Sequence, residues 1–64
     1  MKIITTKFAL MNAFLNGIPF ELDKNNSMVI NQIQRESGSN HTYNIFGHVN
    51  KSIYITEFFV ITND

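Results

Sequence analysis

The side chains of this chain that could do chemistry are few. His41 and His48 stand seven residues apart. Side chains on a strand alternate with a period of two, so this odd separation sends the two imidazoles to opposite faces. One strand therefore does not bring both to one metal ion. The spacings His-x-x-x-His, His-Glu-x-x-His and Cys-x-x-Cys are missing, and there is no cysteine. No metal and no cofactor is expected. His41 lies near a turn and reads as solvent-facing. His48 lies at a strand end, where it could enter an interface.

Glu57 is a carboxylate inside an otherwise apolar run. Buried, it could serve as an acid or base. The simpler readings are an exposed group, a cross-strand partner for Lys51 or Arg35, a charge that guards a strand edge, or a partner contact. The serines, at 27, 37, 39 and 52, fall in turn-like segments where a small hydroxyl assists the backbone. No Gly-x-Ser-x-Gly elbow occurs, and Gly38 and Gly47 belong to no phosphate-binding fingerprint. A chain this short also struggles to enclose a pocket of several hundred Å³. The expectation is a protein that is not an enzyme.

Aromatic side chains on a sheet can stack nucleic-acid bases. Tyr43, Phe46, Tyr54, Phe58 and Phe59 could form such a platform, with Arg35, Lys51 and Lys24 as nearby cations. No run like those of RNA-binding sheets is present, so core or protein-interface packing is the preferred account. A single-stranded nucleic-acid module using the sheet aromatics with Arg35 and Lys51 is the alternative. The loop 34–41 places Arg35 and His41 beside a Gly/Ser turn, which reads as a solvated tip or a partner contact.

These groups must be positioned by a small set of elements. Ile3 and Ile4 suit a brief strand, and Thr5 or Thr6 can cap a helix. Residues 7–15 read as that helix, with Phe8, Met11 and Leu15 at helical spacing and Leu10 and Phe14 widening the stripe. Asn16-Gly17 ends it and Pro19 opposes continuation. The competing reading of 8–22 is a hairpin turning at Asn16-Gly17. The helix is preferred because β-branched residues are absent from 7–15. Residues 18–22 read as a connector or a briefly paired segment. Strands follow at 28–35, 41–49 and 53–61, joined by polar turns as an antiparallel meander.

The expected architecture is thus a single α+β domain over 1–64. One N-terminal helix packs through Phe8, Met11 and Leu15 on a three-stranded antiparallel meander, with a possible short extra N-terminal strand. In the middle strand Tyr43, Ile45, Gly47 and Val49 share one face. In the last, Ile53, Ile55, Glu57, Phe59 and Ile61 alternate with Tyr54, Thr56, Phe58, Val60 and Thr62. Both faces of that strand are largely apolar, and one helix covers only one face of the sheet. Tyr54, Phe58 and Val60, or else the opposite set, then lack cover within the chain. The candidate partner-binding residues are Tyr54, Phe58, Val60, Phe46, His48 and Arg35.

Composition agrees with this picture. The chain has 64 residues, 44% of them hydrophobic and 16% charged, with five Lys/Arg against five Asp/Glu. That is not the signature of disorder. A domain this size buries only roughly 60% of its unfolded surface, so support from a partner or a second copy is expected, as a homodimer or a complex. Zero net charge speaks against binding nucleic acid by phosphate neutralisation alone, and gives little repulsion between copies. There is no run long enough for a membrane span and no signal-peptide pattern, so a cytoplasmic protein is expected. The nine asparagines suit an AT-rich genome and a phage or bacterial accessory protein. The function expected is a small interaction, regulatory or inhibitor protein acting through an apolar sheet face or an edge strand.

Overall fold

A computed structural model describes residues 2–64, Lys2 by its backbone alone. Met1, the first residue of the expected opening segment, lies outside them. The elements are β1 (Lys2–Thr5), α1 (Lys7–Asn16), β2 (Phe20–Asp23), β3 (Asn26–Arg35), β4 (Thr42–Val49) and β5 (Ile55–Thr62).

The helix is set by its two ends. Thr6 is in extended backbone (φ −95°, ψ 155°), and its Oγ1 accepts the Ala9 N–H at 3.0 Å. That satisfies one of the donors a helix start leaves open. Gly17 takes a left-handed φ of 65°, and both it and Ile18 donate their N–H groups to the Ala13 carbonyl. The chain thereby turns sharply out of the helix into β2.

The sheet corrects the expected three-stranded meander. It has five strands in the order β1-β5-β4-β3-β2, curled into a nearly closed, barrel-like form with α1 packed on β3 and β2. Segment 20–23 forms an antiparallel arm on β3, with Phe20 opposite Met28. β1 joins the far edge in parallel to β5, with Ile3 opposite Val60 and Thr5 opposite Thr62. Each of these strands is only four residues long. Their pairing therefore rests on contacts across the sheet and not on a local pattern.

The helix face is also corrected. Leu10 (1% exposed) and Ala13 are buried, with Phe14 half-buried beside them, while Phe8 (77%) and Leu15 point outward and Met11 is exposed. Residues 10, 13 and 14 are spaced as well for a helix as 8, 11 and 15 are. The entry from β1 and the exit into β2 decide between them. The small Ala13 also lets the helix lie close on the concave sheet.

The inner face carries the core: Ile3, Phe20, Leu22, Met28, Ile30, Ile45 and Val60, closed by Leu10 and Ala13. One irregularity makes β3 fit. The register shifts between Ile30, opposite Gly47, and Gln32, opposite Phe46. This bulge takes Ile33 out of alternation with Ile30 and sets it opposite Ile45, against the core. A bulge also sharpens strand twist, which suits a sheet that curls this far.

Candidate interaction surface

The β5 register assigns every side chain to a face. Ile45 lies opposite Phe58, and Tyr43 opposite Val60, on the inner side. Val60 is wholly buried (0% exposed), and Phe58 packs half-buried against the same core. Two of the expected partner-binding residues are therefore placed on the helix-covered side. The open side is the alternate set: Ile55 (62% exposed), Glu57, Phe59 and Ile61.

Neighbouring strands extend this outer surface. Ile4 of β1 pairs with Ile61, and Phe59 lies opposite Asn44. Phe46 is central, on the middle strand of the five, with Glu57 opposite on one side and Gln32 on the other. Its diagonal neighbours in the ladder are Ile55 and Phe59. At the β3 side, Val29 is exposed opposite His48. The result is an apolar strip of Ile4, Ile61, Phe59, Phe46 and Ile55, interrupted by the exposed carboxylate of Glu57. The helix packs on the other side of the sheet, with β3 and β2.

The remaining expected residues are spread out. Tyr54 is exposed before β5 begins. His48 is half-buried on the outer face, and its Nδ1–H donates to the Ser52 carbonyl at 2.9 Å. That bond orients the ring. Arg35 donates to the Ser39 carbonyl at 2.6 Å and so ties down the 36–41 loop. The loop turns at Gly38, whose φ is 80°. Lys51 sits in the turn after β4, where it and Asn50 have φ of 65° and 51° and Ser52 N–H bonds the Val49 carbonyl. Arg35 pairs with Tyr43 at one end of β4, and Val49 marks the other. The two cations are thus about 20 Å apart along the strands and form no single basic patch.

A second feature lies between the two outermost strands. A cleft of about 650 Å³ is lined by β1 on one side, by residues 18–24 on the other, and by Phe8, Ala9, Asn12 and Ala13 of the helix. Phe8 and Ile18 line this cleft and are exposed, and Met11 and Leu15 are exposed on the same helix as Phe8. Sequence reasoning assigned three of these to the core. Positions 8, 11 and 15 and positions 10, 13 and 14 are both wholly apolar at helical spacing, so no local signal separates the two faces.

Among the described residues, no three His, Cys, Asp or Glu side chains come together as a metal site. No helix is long and apolar enough to cross a membrane. The Asp23 carboxylate is held by the turn around it. Its oxygens accept from the Asn26 amide at 3.0 Å and from the Asn25 N–H at 2.8 Å, which hold its pKa below the ordinary 3.8. This is a turn-building role. Comparison with protein-family models, with curated proteins and with solved structures gives no match for this chain.

Proposed function

We propose that this chain is a small, non-enzymatic interaction protein that regulates or inhibits another protein by docking on it through the outer sheet face. The observation that carries this reading is the outer strip in which Ile4, Ile55 and Phe59 are exposed beside the half-buried Phe46 and Ile61. Monomeric proteins rarely leave a contiguous apolar patch of more than a few hundred Å² in water. A rigid sheet presents such side chains at fixed spacing, so little ordering cost is added on binding. Glu57, opposite Phe46 in the middle of the strip, favours a partner that brings a cation to that point.

The test is site-specific photocrosslinking in the source cell. A photoreactive residue replaces Phe59 in one variant and Leu15, on the helix, in another. The expected result is one discrete adduct with a second protein from position 59, lost when Phe46→Ser is added. No adduct from position 59, or the same adduct from both positions, would reject docking through this face.

A further inference from the structure

β5 is paired on both sides over only half its length. β4 runs beside it from Ile55 to Ile61, whereas β1 covers only Phe59 to Thr62. Among the described residues no strand lies along residues 55–58 on the β1 side. Such an edge presents free backbone donors and acceptors and is a template for another strand.

The molecule's other open edges are blunted. β2 is four residues long, follows Pro19 and carries a register shift. β3 beyond Met28 carries the bulge between Ile30 and Gln32. The free edge of β1 is short and borders the helix cleft. The β5 edge lacks these devices, and its one charge over residues 55–58 is Glu57. Its β4 register is regular, and it contains neither proline nor glycine. It also adjoins three consecutive exposed apolar residues, Ile53 (82% exposed), Tyr54 (73%) and Ile55.

We propose that residues 54–58 pair antiparallel with the same residues of a second copy, about a two-fold axis at Thr56. Charge and face select this register. In a continuous sheet, directly opposed residues must lie on the same face, so the axis falls on a residue. An axis at Glu57 would set two carboxylates directly against each other, which is unfavourable. At Thr56, Ile55 faces the partner's Glu57 on the outer side. Tyr54 faces the partner's Phe58 on the inner side, giving an aromatic cross-strand pair twice over. The chain's zero net charge offers little general repulsion. The two sheets become one, and the contact closes on itself with no further free copy of the edge. It is small, so association is weak and concentration-dependent. This pairing stands apart from docking on the outer face, because it uses the strand's edge.

The experiment is sedimentation equilibrium of the whole chain from about 1 µM to about 1 mM, the range in which small interfaces associate. The wild type, Thr56→Lys, Thr56→Glu and an equal mixture of the two variants are compared. Thr56 is exposed, and thermal unfolding of each variant confirms that it remains folded. The wild type is expected to rise from one chain to two. Each variant alone sets like charges on the axis, weakening association at least about 100-fold. The mixture sets Lys against Glu and restores the doubled mass. Three results would overturn the proposal: a wild type of single mass throughout, a variant that doubles alone, or a mixture that stays single.

Discussion

Gly47 and Met28 share a space in which only one of them can have a side chain. A Cβ built on Gly47 would lie 2.9 Å from Met28 Cγ and would run into the Val29 carbonyl. Met28 is fully buried, so it has nowhere to retreat. Gly47 thus lets β4 press close against β3 beside the β3 bulge, where the sheet bends. A glycine inside a strand commonly marks such a close approach. Gly47→Ala is expected to lower stability by about 3 kcal/mol through overpacking. Urea unfolding measures this, and a loss within experimental error would show that the two strands can separate at this point.

The two sides of the helix should respond differently to truncation. Leu10→Ala removes a buried side chain and is expected to cost about 3 kcal/mol. Phe8→Ala removes an exposed one and is expected to stay within about 0.5 kcal/mol. Parallel denaturant titrations decide the matter. The opposite ranking would restore Phe8, Met11 and Leu15 as the core face.

The helix ends should be separable from its packing. Thr6→Ala deletes the side-chain acceptor of the Ala9 N–H and is expected to cost about 1 kcal/mol. Gly17→Ala forces a Cβ into left-handed backbone at φ 65° and is expected to cost about 1 kcal/mol as well. Amide exchange should show the first loss as fraying at residues 8–9 and the second at the last turn. Fraying that spreads evenly would mean that tertiary contacts hold the ends.

Asp23 gives one pH-dependent element. Its hydrogen bonds with Asn26 and Asn25 favour the ionised form, so its folded pKa lies below its unfolded one. The unfolded chain then binds the proton more readily. The stabilisation is therefore present above the unfolded pKa and fades as pH falls through the folded pKa. Following the Asn25 amide by NMR should give a midpoint below 3.8. In Asp23→Asn that transition should vanish. A midpoint at or above 3.8 would contradict the turn geometry.

The features readable in the amino-acid sequence were those with a local cause. Thr6 before an apolar run, Gly17 after it and the alternation of Tyr43, Ile45, Gly47 and Val49 each rest on a few neighbouring residues. The pairing of β1 with β5 has no local cause: Ile3-Ile4 suits a strand, but nothing beside it names Val60 and Ile61 as its neighbours. The bulge in β3 is likewise set by the strand opposite. For the surface, β5 is apolar on both faces, so only the position of the helix decides which is open. Phe58 and Val60 went to the inside, and Ile55, Phe59 and Ile61 to the outside. Leu10, Ala13 and Phe14 could not be preferred over Phe8, Met11 and Leu15 by spacing alone.

The parallel seam between β1 and β5 has a consequence for biosynthesis. It ties together segments far apart in the chain, and the Lys7 N–H reaches Asp64 Oδ1 across 57 residues. A growing polypeptide emerges with β1 first, yet β1 has no strand to join until β5 has been made. The helix and the β2–β4 arms can assemble first, because their partners are close in sequence. The seam closes last, so until Thr62 has left the ribosome the nascent chain exposes an unpaired apolar edge to whatever chaperone stands at the exit.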